Sequence, residues 1–146
     1  MLEAYTAGFL DADGSVALTK SGKGEDWLRT PNVSFYNCDK AILEDIKEKW
    51  GGTLKVGKPS TENHNVSYTL VVCDNACLNL LKDVLPFMKH SKKKKRASLI
   101  VEHYKKCTPR NGKYTSEHIE MKKWLNEQVM GITMRGVGAW WYFSNG

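Results

Sequence analysis

The chain has 146 residues, which is enough for one domain with a hydrophobic core and too few for two domains of ordinary size. Its 22 basic and 16 acidic residues give a formal net charge of +6, which favours a polyanionic partner such as nucleic acid. No apolar stretch approaches membrane-spanning length and no signal peptide is recognisable. We therefore expect a soluble intracellular protein with no membrane partner, in a compartment that the sequence leaves open.

The four cysteines do not have a spacing that demands disulfide bonds, so reduced thiols are expected. Cys73 and Cys77 are four residues apart, as are His103 and Cys107, and each pair could share a helix face. A structural zinc site built from these two pairs is a minor alternative. Buried structural thiols are the more common outcome for such residues.

The first helix is predicted from residue 4 to residue 13. Ala4, Gly8 and Ala12 recur every four residues, so they line one face, where a second backbone could approach closely. Gly14 follows the helix and is expected to end it in a left-handed conformation. A face of this kind predicts pairing with a second copy of the same helix. The predicted interface consists of Ala4, Ala7, Gly8, Asp11 and Ala12.

Two carboxylates, Asp11 and Asp13, lie in the last turn of this helix. An acid at the negative end of a helix costs about 0.3–1 kcal/mol, so a cation bound nearby would offset the charge. The alternative is an ordinary helix with a solvated acidic end. An EF-hand loop is excluded, because its first and twelfth positions would be Phe9 and Lys20. The two carboxylates lie about 200° apart around the helix, so both cannot face the same ion. Asp13 is chosen as the candidate ligand.

Alternating apolar and polar residues predict two β-hairpins, each followed by a helix. Asp39 is a suitable N-cap for the first of these helices, which should end at the glycines after Trp50. Its inward residues are expected to be Ile42, Leu43, Ile46 and Trp50. The first hairpin is predicted to consist of strands 15–21 and 31–36, and the helix after it should run to about residue 50. The second hairpin is predicted to consist of strands 53–58 and 65–73 around a turn at 59–63. The helix that follows is expected to be capped by Asp74 or Asn75 and to stop before Pro86.

One face of the resulting sheet should be covered by helices, and the other should remain open. The open face carries polar and mostly small side chains, which suit contact with base edges in the major groove of DNA. An ordinary solvated face is the alternative interpretation. The predicted DNA-binding residues of the sheet are Ala17, Thr19, Ser21, Asn32, Ser34, Tyr36, Lys55, Ser67 and Thr69.

Five consecutive cations, residues 92–96, begin a long fourth helix that continues to Tyr104. Such a run is most often a solvated face, but Lys92 and Lys94 are candidates for contact with DNA phosphates. Ser116 is expected to cap a last helix whose inward residues are Met121, Trp124, Leu125 and Val129. The aromatic residues at 140–143 are expected to pack onto the domain, with contact to DNA or a partner as the alternative.

The segment Thr6–Gly14, with the sequence TAGFLDADG, resembles the nine-residue signature of the LAGLIDADG homing endonucleases. The resemblance implies an α+β fold: an αββαββα half-domain with a curved, four-stranded antiparallel sheet backed by helices, plus C-terminal helices. It covers about residues 4–107, and residues 108–146 form an extension of the same domain. Because a single copy of the motif is present, the resemblance implies a homodimer.

The resemblance also assigns roles to individual residues. The final acidic residue of the motif, Asp13, is the implied metal ligand, and Ala12 supplies a backbone carbonyl. Asn37 stands where the family has a glutamine or similar residue that positions the catalytic water, although asparagine is shorter. Lys93, four residues before Ala97, best matches the basic catalytic residue, with Lys92 and Lys94 as alternatives.

The implied activity is magnesium-dependent cleavage of double-stranded DNA, with Mn²⁺ or Ca²⁺ able to replace Mg²⁺ for binding and with no small-molecule cofactor. The target would be long and roughly palindromic, the break staggered with 3′ overhangs, and the gene part of a mobile intron or intergenic element. The first alternative is a catalytically inactive relative that binds nucleic acid as an RNA maturase or DNA-binding regulator. The second is a small basic interaction protein whose first helix merely resembles the motif.

Overall fold

The computed structural model describes residues 1–20, 24–57 and 66–132, and within these ranges the chain forms five α-helices and four β-strands. Two short 3₁₀ turns, Leu85–Phe87 and Lys105–Cys107, flank the fourth helix. The helices and strands are α1 Leu2–Asp13, β1 Ser15–Lys20, β2 Arg29–Asn37, α2 Lys40–Trp50, β3 Thr53–Val56, β4 Tyr68–Cys73, α3 Asp74–Val84, α4 Ser91–His103 and α5 Ser116–Met130.

The four strands form one antiparallel sheet in the order β1-β2-β4-β3, so the two hairpins lie side by side. Helices cover one of its faces. The predicted α+β class and the αββαββα order are therefore confirmed. The third and fourth strands are shorter than expected, and the predicted turn at 59–63, Ser21 and the aromatic residues at 140–143 lie outside the described residues.

The core lies between the sheet and the helices. Val16 pairs with Val33, which pairs with Val72, and Phe35 pairs with Leu70, so two neighbouring rows of apolar side chains lie on the covered face. All five are buried. No helix in the described part of the chain is both long and apolar enough to cross a membrane.

Helix α2 begins and ends as the sequence predicts. The Asp39 side chain accepts a hydrogen bond from the Ala41 amide at 3.0 Å, and Gly51 ends the helix with a φ of 99°. Leu43, Ile46 and Trp50 are buried, and Ile42 packs against the core while half-buried.

Two predicted helix caps are wrong. Helix α3 begins at Asp74, which has a φ of 57°, and neither Asp74 nor Asn75 caps it, because the N-cap position is Cys73 and carries no side-chain hydrogen bond. Helix α5 is capped by Thr115 instead of Ser116. Thr115 and His118 bond reciprocally in a capping box, which the Ser116 side chain is one residue too late to form.

The inward face of α5 also differs from the prediction. Leu125 and Val129 are buried as expected, but Met121 and Trp124 are exposed, and Lys122 is buried in their place. Positions 122, 125 and 129 lie three and four residues apart and so share a face. Because the prediction counted only hydrophobic residues as inward-facing, it assigned the wrong face of α5 to the core at Met121 and Trp124.

Gly14 ends α1 for a reason other than the predicted one. Its φ of −97° and ψ of 174° are extended, so no left-handed conformation is involved. A Cβ at this position would lie 2.6 Å from Leu10 Cδ1 and 3.1 Å from the Ser34 carbonyl oxygen. The glycine is required because the helix end and β2 leave no room for a side chain.

We predict that Gly14→Ala lowers the free energy of unfolding by about 1–3 kcal/mol, because Leu10 and the β2 backbone must move to accept the methyl group. Urea unfolding followed by circular dichroism at one fixed protein concentration measures the loss. Glu120→Ala, a change at an exposed position of α5 whose side chain forms no hydrogen bond with a described residue, is the control and should alter stability by less than about 0.5 kcal/mol. Equal effects of the two substitutions would contradict the steric explanation.

Candidate functional site

The end of α1 separates its two carboxylates. Asp13 is exposed, and its side chain forms no hydrogen bond or ion pair with any described residue. Asp11 is half-buried, and its Oδ2 accepts a hydrogen bond from the Lys89 amide at 2.6 Å, while its Oδ1 is buried without a partner among the described residues. Asp11 is thus held by its own chain, and Asp13 remains available to a ligand.

Asn37 lies at the end of β2 and lines the same surface as Asp13. The two residues share a depression of about 410 Å³ beside α1, which Tyr5 and Phe9 also line. They share a second one, of about 350 Å³, which extends toward Ser67. The Asn37 Oδ1 accepts a hydrogen bond from the Asp39 amide at 2.8 Å, which fixes the amide group on the short turn into α2.

Lys93 is the member of the basic run that reaches α1. Its ammonium group donates hydrogen bonds to the carbonyl oxygens of Leu10 at 3.0 Å and Asp11 at 2.8 Å. Burial lowers the pKa of Lys93, while the carboxylates of Asp11 and Asp13 act in the opposite direction. A cation therefore already stands at the negative end of α1, where the helix dipole favours it.

Lys92 and Lys94 lie with Lys93 in the first turn of α4. Lys92 is half-buried and Lys94 is exposed, and neither forms an ion pair with a described residue. Helix N-termini carry partial positive charge, so two further cations at this end are unfavourable unless an anion approaches. The arrangement suits contact with phosphate groups.

The open face of the sheet contains seven of the nine predicted residues in adjacent rows, whereas Ser67 precedes β4 and Ser21 lies outside the described residues. Ala17 pairs with Asn32, and Tyr36 pairs with Thr69, which in turn pairs with Lys55. The sequence interpretation missed further residues on this face, which the alternation of each strand would have included. These are Ser15, Thr30, Thr53, Val71 and Cys73.

The small-residue face of α1 is only partly available to a second chain. Ala4, Gly8 and Ala12 are exposed, and a Cβ at Gly8 would have no atom within 4 Å. Ala7 is fully buried in the core of its own chain, so its predicted place in a dimer interface is wrong. Tyr5, which is 59% exposed, lies on this side of the helix and was not predicted.

The donor atoms at the end of α1 fit a hard divalent cation. The Asp13 carboxylate is free, and the Ala12 carbonyl accepts no hydrogen bond from the described residues, whereas Lys93 occupies the carbonyls of Leu10 and Asp11. Carboxylate and carbonyl oxygens are ligands that Mg²⁺ and Ca²⁺ prefer. No group of three or more His, Cys, Asp and Glu side chains converges within residues 1–20, 24–57 and 66–132.

The alternative zinc site is not formed. All four of its residues are described, and they do not converge on a common point. Cys77 and Cys107 are buried free thiols, and Cys73 is an exposed one. Burial raises the pKa of the Cys77 and Cys107 thiols, which keeps both in the neutral form and disfavours metal binding.

We predict that Lys93→Met lowers the free energy of unfolding by about 1–2 kcal/mol, because the substitution removes two hydrogen bonds from a charged donor to the end of α1. Chemical denaturation measures the change. Lys94→Met removes the same charge from the adjacent exposed position and should leave stability nearly unchanged. If both variants lose equal stability, overall charge and not the helix cap would be responsible.

Comparisons with known proteins identify the fold. No protein-family model and no curated protein matches the sequence. Among solved structures, the homing endonuclease I-CvuI, in complex with a DNA target and 2 mM Mg, aligns with a TM-score of 0.67 and 24% identity over 92% of this chain and 83% of that chain. The archaeal intron-encoded homing endonuclease I-Vdi141I, complexed with DNA, aligns with a TM-score of 0.67 and 23% identity over 92% of this chain and 85% of that chain.

A longer relative aligns over half its length. The LAGLIDADG homing endonuclease I-GzeII, in complex with its DNA target, gives a TM-score of 0.60 and 16% identity over 97% of this chain and 48% of that chain. The resemblance carried by residues 6–14 is thus confirmed at the level of the fold, and the chain has the fold of the LAGLIDADG homing endonucleases.

Proposed function

We propose that the chain is a LAGLIDADG homing endonuclease that makes a site-specific, staggered double-strand break in DNA. The observation that carries this proposal is the state of Asp13. It is an exposed carboxylate without a partner among the described residues, placed beside Asn37 and close to the Lys93 ammonium. A purely structural helix end would gain nothing from a free acid at its negative terminus.

The open face of the sheet would bind the DNA. Its rows of small and polar side chains suit contact with base edges in the major groove, which accepts a two-stranded β-ribbon. Lys92 and Lys94 would bind phosphates beside the groove, and the net charge of +6 would attract the duplex. The DNA-bound structures of I-CvuI and I-Vdi141I support this assignment.

Asp13 and the Ala12 carbonyl would hold a divalent metal ion, with phosphate and water oxygens completing the shell. The ion would raise the nucleophilicity of water and stabilise the charge that develops on the phosphate. The Asn37 side chain would orient the attacking water through a hydrogen bond. The Lys93 ammonium, already held at this helix end, would stabilise negative charge on the scissile phosphate. Mg²⁺ is the proposed ion, and the structures with Mg and Ca of I-CvuI support a divalent cation.

A second copy of the chain would complete the enzyme. The exposed face of α1, which includes Ala4, Gly8 and Ala12, would pair with itself, and this would bring the two Asp13 residues together so that each subunit cuts one strand. The alignment with about half of I-GzeII supports this arrangement, because two copies would equal the longer chain. By the same resemblance, the target would be roughly palindromic and the gene part of a mobile intron or intergenic element.

We predict that Asp13→Asn abolishes cleavage, with a loss of more than about a hundredfold, while DNA affinity measured in Ca²⁺ is retained. The target is first obtained by incubating the wild-type protein with a randomised duplex library and Mg²⁺ and sequencing the ends. Cleavage and binding of that target are then measured for the variant.

Asp45→Asn is the matched control, because Asp45 is an exposed carboxylate on α2. It should cut at the wild-type rate. An Asp13→Asn variant that cuts normally would refute the metal-ligand role. A wild-type protein that selects particular sequences without ever cutting them would favour the inactive binding relative instead.

We predict that Gly8→Leu converts the dimer to a monomer without unfolding it. Apart from the nearby backbone of its own helix, a Cβ at this position meets no described atom within 4 Å, but the new side chain would prevent close approach of a second α1. Sedimentation equilibrium measures the mass, and circular dichroism checks the fold. Glu120→Leu, at an exposed position of α5, is the control and should remain dimeric. A monomeric wild-type protein, or a Gly8→Leu variant that still dimerises, would contradict the proposed interface.

A further inference from the structure

Lys122 is a buried cation with no negative partner among the described residues. Only 1% of the residue is exposed, and its ammonium group donates a hydrogen bond to Thr108 Oγ1 at 2.7 Å. The same group lies 4.3 Å from the centre of the Tyr104 ring and 5.3 Å from that of Tyr114. No carboxylate in the described part of the chain forms an ion pair with it.

The surroundings of Lys122 do not compensate its charge with an anion. Cys107, Tyr104 and Tyr114 are the nearby groups that could ionise, but burial raises the pKa of all three and keeps them neutral near pH 7. Burial also lowers the pKa of Lys122 itself. Taking an unpaired ammonium group out of water is unfavourable, and cation–π contacts recover only part of the lost hydration. An anion close to this site would stabilise the fold.

A cavity of about 790 Å³ adjoins Lys122 through Thr108. The Thr108 hydroxyl accepts the hydrogen bond from Lys122, donates one to the Tyr104 carbonyl at 2.8 Å, and lines the cavity. The described lining includes two cations and two amides but no carboxylate. The lining residues are Asn75, Asn79, Tyr104, Lys105, Thr108, Pro109 and Arg110.

We propose that this cavity binds a phosphate-bearing ligand of about nucleotide size. The Arg110 guanidinium and the Lys105 ammonium are charged donors suited to phosphate oxygens, and the side-chain amides of Asn75 and Asn79 add neutral donors. The volume falls within the range of small-ligand pockets. The cavity is lined by α3, the turn after α4 and the loop that follows. It shares no lining residue with the depressions at Asp13, so the inference does not depend on the nuclease activity.

Titration calorimetry in phosphate-free buffer at low salt tests the site, with inorganic phosphate, pyrophosphate and adenosine monophosphate as separate probes. We expect saturable binding with one site per chain, weakened about tenfold or more by Arg110→Ala. Lys113→Ala, which removes an exposed cation outside the cavity, should bind as the wild type does. Tighter binding of adenosine monophosphate than of phosphate would identify a nucleotide site, and equal binding a free-phosphate site.

A single-stranded oligonucleotide provides the third arm, because its backbone offers the same chemistry. Binding of the oligonucleotide that depends on Arg110 but not on Lys113 would assign the cavity to a nucleic-acid backbone. The proposal is overturned if none of the probes binds saturably, or if Arg110→Ala and Lys113→Ala weaken binding equally. Asp13→Asn should leave every one of these results unchanged, so failure of this site and failure of the nuclease proposal are separable.

Lys122→Met gives a second, independent readout. Replacing a buried, unpaired ammonium with an apolar side chain of similar length should raise the melting temperature in phosphate-free buffer. The increase in melting temperature that pyrophosphate gives the wild-type protein should become smaller in this variant. An unchanged pyrophosphate effect in Lys122→Met would show that the buried charge plays no part in anion binding and would overturn that part of the proposal.

Discussion

Two cations of α4 hold the main chain on either side of Asp13, and the geometry of the candidate site depends on them. Lys93 donates hydrogen bonds to the carbonyls of Leu10 and Asp11, which precede Asp13 in the chain. Arg96 donates a hydrogen bond from Nη1 to the carbonyl of Val16, which follows Asp13, at 2.8 Å. The two cations are three residues apart and therefore share one face of α4. The position of Asp13 is thus fixed by a helix that begins about eighty residues later in the chain.

The same contacts explain how a helix can end with two acids. The final carbonyls of α1 and the carboxylates of Asp11 and Asp13 together create a strongly negative end. Lys93 neutralises part of that charge, and the Lys89 amide satisfies one oxygen of Asp11. Asp13 and the Ala12 carbonyl are left over. Most of the helix end is therefore compensated within the chain, whereas the exposed Asp13 carboxylate and the Ala12 carbonyl have no hydrogen-bond partner among the described residues.

Much of this could be predicted from the sequence, because alternation in the strands and the helical period of residues 42, 43, 46 and 50 reflect local geometry. The features that could not be predicted depend on contacts between distant segments. The crowding at Gly14 comes from β2, and the burial of Lys122 depends on Thr108 and two tyrosine rings. A sequence pattern based on hydrophobicity predicts that a lysine is exposed, whereas Lys122 is buried. The spacing from Ala97 identifies Lys93 as the candidate basic residue, but it does not predict the hydrogen bond to the Asp11 carbonyl, which joins residues 82 positions apart.

The last helix is attached to the sheet by the same kind of interaction that holds the site. Arg96 donates from Nε and Nη2 to the Ile132 carbonyl at 3.2 and 2.5 Å, so one guanidinium joins the start of β1 to the residues just after α5. The Leu18 amide donates to Met130 Sδ at 3.5 Å. Since Leu125 and Val129 also lie in the core, α5 supports the strand that follows Asp13. Arg96 has no carboxylate partner among the described residues, and its hydrogen bonds go to the carbonyls of Val16 in β1 and Ile132 after α5. The C-terminal extension therefore helps to keep the candidate site in place.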